Sequence, residues 1–203
     1  MKDLRLPLFP LQAVLLPGEL LPLHIFEERY KLMIGECMEE NRPFGVVLAE
    51  EDGIRKIGCT ARVTRLLEKF PDGRMNILTH GEVRFGILRL FENRPYLTGE
   101  IQPIEDRGEE PPPRELARRV REALEEKERQ ALPPETEASA DPARFSFAAA
   151  VILRLPLPLK QALIESLSAR ERLELLAGFL ENRSERDRLA ARRRQAAAGN
   201  GKP

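Results

Sequence analysis

The spacing of apolar residues changes period several times along the chain, and each change predicts an element. Prolines at Pro7, Pro10, Pro17 and Pro22 each hold their own φ near −65° and push the preceding residue towards extended geometry. No helix can therefore run from Leu4 to Leu21. The apolar runs Leu4 to Phe9 and Ala13 to Leu16 are predicted as short strands or extended segments, with a turn at Pro17-Gly18. Leu20, Leu21, Pro22 and Leu23 follow as an extended apolar arm without regular alternation. Beyond Pro22 the period becomes helical. Phe26, Tyr30, Met33, Ile34 and Cys37 share one stripe, with Glu27, Glu28, Lys31, Glu36 and Glu39 on the other side.

Period 2 then takes over. Phe44 to Ala49 is a short apolar run between breakers, predicted as a buried strand. From Ile57 to Phe70, Ile57, Cys59, Ala61 and Val63 alternate with Gly58, Thr60, Arg62 and Thr64, the pattern of a half-buried strand. Pro71-Asp72-Gly73 turns it back as a hairpin. Arg74 to Leu90 is too long to stay straight, and Gly81 and Gly86 mark bends or bulges. Tyr96 to Ile104 is the next strand.

At Asp106 to Pro113 the pattern passes from β to α. Leu116, Val120 and Leu124 give a narrow stripe on a charged helix over Arg114–Ala131. Asp141 is an N-cap with Pro142 in the first helical position; that helix reaches about Leu155. Pro156 and Pro158 interrupt it, and a short helix follows to about Leu167. Ser168-Ala169-Arg170-Glu171 is a capping box, opening a helix with Leu173, Leu176, Ala177 and Leu180 on one side. That helix is expected to fray from Arg186 to Arg194. The expected organisation is a mostly antiparallel β lobe over residues 1–110, a four-helix lobe over 111–190 and a disordered basic tail over 191–203.

Composition sharpens this picture in two places. Trp is absent and aromatic residues make up 5%, so the core is aliphatic. Charge is uneven: residues 1–110 carry 15 basic against 19 acidic side chains, a balance of −4, and the last 21 residues carry 7 against 2, a balance of +5. A basic tail on an acidic β lobe is not the broad basic face of a nucleic-acid binder. Lys2 and Arg5 before an apolar run imitate a signal peptide. Asp3, Gln12, Glu19 and the prolines interrupt the run, however, and no small-residue cleavage site follows. No apolar run reaches the ~18 residues of a membrane span. A cytoplasmic protein with Cys37 and Cys59 as small buried hydrophobes is expected.

Taken in order, LPLFPLQAVLLPGELLPLHIFEERYKLM (Leu6–Met33), Phe44-Gly45-Val46-Val47, Ile57-Gly58-Cys59-Thr60-Ala61, Pro71-Asp72-Gly73-Arg74, Gly81-Glu82-Val83-Arg84-Phe85, Tyr96-Leu97, Leu155-Pro156-Leu157 and Glu171–Leu176 resemble the N-terminal, substrate-engaging domain of Lon-type ATP-dependent proteases. The resemblance covers roughly residues 4 to 182. It implies an α+β protein: a small PUA-like β-barrel with one packed helix, followed by the helical lobe.

The chemistry of a Lon protease is not expected here. There is no GxxxxGK[ST], and Gly199–Pro203 lacks the spacing, the hydroxyl and the helix of a phosphate cradle. Lys160 and Ser166 or Ser168 lie close in sequence, but Ser168 is explained as a helix cap. His24, Cys37, Cys59 and His80 have no metal-ligand spacing. No cofactor, metal or catalytic residue is expected. What remains is a binding surface for unfolded polypeptide or a partner protein. Leu20, Leu21, Pro22 and Leu23 would supply apolar contact, and Glu27, Glu28 and Arg29 a polar rim, while Phe26 and Tyr30 are expected in the core. The alternative is RNA or nucleotide binding by the PUA-like barrel, against which the acidic β lobe counts.

Overall fold

The computed structural model describes residues 5–108, 113–134, 136 and 140–199. The chain divides into two compact units, one of residues 1–107 with 153–167, the other of residues 108–152 with 168–203.

The first unit holds β1 (Arg5–Leu11), β2 (Leu20–Ile25), α1 (Glu28–Glu39), β3 (Phe44–Glu50), β4 (Gly53–Lys69), β5 (Met75–Phe91), β6 (Thr98–Pro103) and, after the excursion into the second unit, α5 (Leu157–Glu165). The strand order is β2-β5-β4-β3-β1-β6, and β5 also pairs with β6, so the ladder from β1 through β3, β4, β5 and β6 returns to β1. The β1–β3 pairing is parallel; the others are antiparallel. β5 makes the closure possible by changing partner along one edge. Met75–His80 pair with β2, and Phe85–Phe91 pair with β6. Gly81 lies at the changeover, where a Cβ would stand 2.2 Å from the carbonyl oxygen of Leu16. Only glycine lets the Leu16 backbone approach so closely. Leu6, Leu8, Val47, Phe85 and Ile101 fill the interior of this ring, with Ile54, Ile87 and Leu97 against them.

α1 buries Tyr30, Met33, Ile34 and Cys37, four of the five residues assigned to its stripe. Phe9 brings β1 to this helix, its ring 4.3 Å from that of Tyr30 and 6.1 Å from that of Phe44. Phe26 departs from the expectation. The helix begins at Glu28 with Glu27 extended at its N-cap, so Phe26 precedes the helical period and is 59% exposed. The arm Leu20–Leu23 departs too: it is a regular strand, and proline is admitted because it pairs on one side only. Ala13–Leu16 form no strand. Their side chains are buried at Val14, Leu15 and Leu16.

The second unit contains α2 (Arg114–Ala123), α3 (Glu126–Ala131), α4 (Pro142–Ile152) and α6 (Ala169–Gly199). The single helix expected over Arg114–Ala131 is split at Leu124-Glu125, because the Glu125 carboxylate starts a new helix with a reciprocal capping box to Glu128. Asp141 caps α4 through its carboxylate, 2.9 Å from the Arg144 amide. Ser168 caps α6, its hydroxyl accepting from the Glu171 amide at 3.0 Å. Two expectations for the helical lobe differ from the structure. The short helix after Pro156 lies in the first unit. α6 also does not fray at Arg186 but runs to Gly199, and residues 200–203 lie outside the described residues. The buried residues of the second unit include Ala117, Val120, Phe145, Ala149, Leu173, Leu176 and Leu180, with Arg172 at 0% exposure among them.

Candidate binding surface

Beyond the end of β3 the first unit continues as a three-stranded flap of β2, the first half of β5 and the second half of β4. Register decides what each face carries. Leu20 pairs with His80, Pro22 with Leu78 and His24 with Asn76, so Leu20, Pro22 and His24 share one face by alternation. Leu21, Leu23 and Ile25 pair with Thr79, Ile77 and Met75 on the other. That second face carries buried Ile25, Met75, Ile77 and Thr79, and the Thr79 hydroxyl donates to the Leu21 carbonyl at 2.8 Å. Leu21 and Leu23 are half-buried there. The expected arm is thus divided, with Leu20 and Pro22 presented outward and Leu21 and Leu23 turned towards the packed side.

The outward face carries several exposed apolar side chains among polar ones. Leu20 is 57% exposed and Leu67, from β4, 51%. Phe26 stacks on His24 with ring centroids 5.9 Å apart; Phe70 meets the same imidazole edge-on at 6.2 Å. Pro22, Leu23, His24, Leu67, Glu68, Asn76 and Ile77 line a shallow depression of about 540 Å³. A polar chain crosses it: His24 Nδ1 and Asn76 Oδ1 are 2.6 Å apart, and Asn76 Nδ2 donates to Glu68 at 3.0 Å. The edge of β2 away from β5 has no strand partner among the described residues. Pro22 has no N–H, so its position opposite Leu78 is a non-hydrogen-bonded pair. It follows that the amide groups of Leu20 and His24 point away from β5.

Glu27, Glu28 and Arg29 follow at the start of α1. Arg29 meets Glu27 at 2.7 Å and lies over the Tyr30 ring at 4.5 Å. Glu28 takes Lys31 at 2.8 Å, and Lys31 also donates to the Asp72 carbonyl at 2.9 Å, tying the helix to the β4–β5 turn. The seven residues expected at a binding surface therefore lie on neighbouring elements: Leu20 and Pro22 on the outward face, Leu21 and Leu23 on the packed side, and Glu27, Glu28 and Arg29 at the start of α1. His24, Phe26, Leu67, Glu68, Phe70 and Asn76 were not anticipated. For Phe26 and Leu67 a signal existed: period 2 from Leu20 reaches Phe26, and the Leu66-Leu67 pair interrupts an otherwise polar strand end.

Burial pushes the Cys59 thiol up to about 12 and the Cys37 thiol to about 11, so both are protonated and poor nucleophiles at neutral pH. Lys160 is held by Glu19 at 2.6 Å, whose carboxylate also accepts from the Leu16 amide at 3.0 Å. Among the described residues no three His, Cys, Asp or Glu side chains are placed to hold a metal ion. No described helix is long and apolar enough to cross a membrane.

The shifted groups are structural. Glu36 of α1 accepts from the Tyr96 hydroxyl, from Arg94 at 2.5 Å and from Arg42 at 3.1 Å. The Tyr96 bond, then the Arg94 bond and the charges of Arg94 and Arg42, hold its carboxyl below the usual range against desolvation. Burial, then the Glu36 bond, raise the Tyr96 phenol. A depressed carboxyl stabilises the fold above its unfolded value, near 4.5, and loses that contribution as pH falls through its folded value. A raised phenol stabilises the fold below its ordinary value of 10 and loses the contribution as pH rises past it. Urea midpoints measured from pH 7 to 3 should therefore fall less steeply for Glu36→Gln than for the wild type. Parallel acid limbs would remove Glu36 from the account.

The fold is that of a class of mixed α+β substrate-binding domains. The chain matches the ATP-dependent protease La (LON) substrate-binding domain over residues 5–182, and it belongs to that family. It is 28% identical to a Lon protease of Anaeromyxobacter dehalogenans over 203 residues, covering 89% of this chain and 23% of that protein. A Lon protease of Flavobacterium johnsoniae is 34% identical over 115 residues, 52% of this chain and 14% of that protein. Among solved structures, a Lon N-terminal domain protein from Xanthomonas campestris is similar at TM-score 0.64 and 26% identity, covering 86% of this chain and 97% of that one. The N-terminal domain of the Mycobacterium avium complex Lon protease shares the fold at TM-score 0.71 and 17% identity, covering 87% and 98%. The chain thus spans about a quarter of the length of the Anaeromyxobacter protein.

Proposed function

We propose that this protein is a non-catalytic binding module for unfolded polypeptide or a partner protein, and that it takes exposed apolar segments on the outward face of the β2–β5–β4 flap. The closed ladder of β1, β3, β4, β5 and β6 is read as the PUA-like barrel that carries the flap. The cytoplasm is the expected compartment, where such segments arise from unfolding proteins. Leu20, Pro22 and Phe26 would supply apolar contact, Leu21 and Leu23 would support them from the packed side, and Glu27, Glu28 and Arg29 would form the rim. The observation that carries the reading is the exposure of Leu20, Pro22, Phe26 and Leu67 on and beside one flap in a domain of the substrate-binding family. Apolar side chains of this size are ordinarily buried, and several exposed near one another are a feature of interaction surfaces.

The test is titration of a reduced, alkylated and permanently unfolded protein against the wild type and the Leu20→Glu/Phe26→Glu double variant. Placing two charges among these apolar side chains should weaken binding about tenfold or more, equivalent to about 1.4 kcal/mol, with unchanged circular dichroism because both side chains are exposed. Equal affinity would remove the flap from the reading, and no binding by either protein would end it.

A further inference from the structure

A second feature of the first unit lies along the outer edge of β4, beside the flap. β3 pairs with β4 only as far as Phe44 opposite Ala61, whereas β4 continues beside β5 to Lys69. From Arg62 onward the outer edge of β4 therefore has no strand partner among the described residues. Opposite that edge stands the last turn of α1. The helix ends where Asn41 adopts a left-handed conformation, φ 48°, which turns its carbonyl outward. Arg62 donates to that carbonyl at 2.6 Å and to Glu82 at 2.7 Å, bracing the strand against the helix end. Between them is a groove of about 190 Å³ lined by Cys37, Met38, Asn41, Arg42 and the β4 residues Arg62–Leu66.

The size and lining of the groove restrict what can fill it. Small-molecule sites run to about 300–1,000 Å³, so this one has room for one or two side chains. Its apolar part is Cys37, Met38, Val63 and Leu66, with Met38 and Leu66 exposed. Its charge is basic. Arg42 is committed to Glu36 and Glu40 and Arg62 to Glu82, but exposed Arg65 forms no salt bridge among the described residues. An unpaired strand edge facing a helix, with an apolar recess and a cation beside it, is the arrangement that accepts an added strand. Bulges between Val63 and Arg65 and between Leu66 and Glu68 limit the regular edge, so the added segment must be short.

We propose that this groove binds a short extended peptide segment as an extra strand on β4, with an aliphatic side chain in the recess and an acidic side chain on Arg65. Arg65 pairs with Leu78, itself opposite Pro22, so its side chain borders the outward face, while Val63 and Leu66 lie on the packed side. The site uses the edge of β4 rather than the apolar residues of β2 and does not rest on them. The probe is a fluorescein-labelled peptide of alternating leucine and glutamate, compared with versions carrying glutamine or lysine in place of glutamate. Binding is followed by anisotropy and mapped by amide chemical shifts. The expected result is shifts confined to Cys37–Asn41 and Arg62–Leu66. Arg65→Glu and the glutamine peptide should each weaken binding about tenfold, the lysine peptide should bind more weakly still, and Leu20→Glu should bind as the wild type. Met38→Lys, on the opposite wall, should weaken binding while leaving the amide spectrum of the free protein folded. Shifts on the β2 face, affinity unchanged in Arg65→Glu, or no binding of the glutamate peptide would each overturn the proposal. A loss in Leu20→Glu with Arg65→Glu unaffected would assign the peptide to the flap instead.

Discussion

Replacing Arg84 by alanine should cost the first unit about 3–5 kcal/mol, the range measured when one partner of a buried ion pair is removed. Arg84 is 4% exposed. Its guanidinium donates to the carbonyls of Ile164 at 3.1 Å and Ser166 at 2.5 Å, and to the Asp106 carboxylate at 2.5 Å. These carbonyls belong to the C-terminal end of α5, where helix backbone acceptors lack partners and carry the negative end of the dipole. One planar cation thus closes the helix end and neutralises a carboxylate together. Alanine leaves all three acceptors without it. Lysine restores the charge but not the fork of donors, so Arg84→Lys should recover less than half of the loss. Urea denaturation gives the total, and hydrogen exchange at Leu163–Ser166 should show the loss concentrated at the end of α5. A midpoint within experimental error of the wild type for Arg84→Ala would show that water satisfies these acceptors equally well.

Arg172→Ala should destabilise the second unit by a comparable amount, about 3–5 kcal/mol, by creating a cavity and removing a buried hydrogen-bond donor. Arg172 is 0% exposed. Its Nε donates to the Ser146 hydroxyl at 2.8 Å, which itself donates to the Ala143 carbonyl at 2.6 Å. The guanidinium lies over the Phe147 ring at 4.3 Å. α6 is thereby joined to α4 by a polar contact inside an aliphatic interface. Arg172→Met keeps the volume of the stem and loses the donor, so the two variants separate packing from hydrogen bonding. If Met restores most of the stability, packing dominates; if it falls with Ala, the buried polar bonds do. The prediction fails if Arg172→Ala unfolds at the wild-type urea concentration.

Neither arginine stands out locally. Arg84 sits in a strand among Glu82, Val83 and Phe85, and Arg172 in the run Ala169-Arg170-Glu171-Arg172, where an arginine is ordinarily a solvated helix side chain. Their burial depends on what another part of the chain brings to them, 80 and 82 residues away for Arg84 and 26 for Arg172. No window of sequence contains that information. Phe26 shows the same limit from the other side. Counted along a helix from Tyr30 it belongs to the core, but β2 ends at Ile25 and α1 begins only at Glu28, so Phe26 lies between the two elements and its side chain is exposed.

Much of the fold was nevertheless legible. Prolines and glycines delimited the strands, period 2 marked β4, and helical spacing identified the buried side of α1. Asp141 and Ser168 announced helix starts through bonds their own side chains make within three residues. The apolar arm and the charged start of α1 were recognisable as surface candidates from their order along the chain. Such features depend on local steric and hydrogen-bonding preferences, and these belong to short stretches of residues. Which face of the arm meets water, where β4 is left without a partner, which unit receives α5 and which arginines are buried were decided by tertiary structure. Each depends on strand register or on contacts between residues far apart in the chain, and these are fixed only when the chain closes on itself.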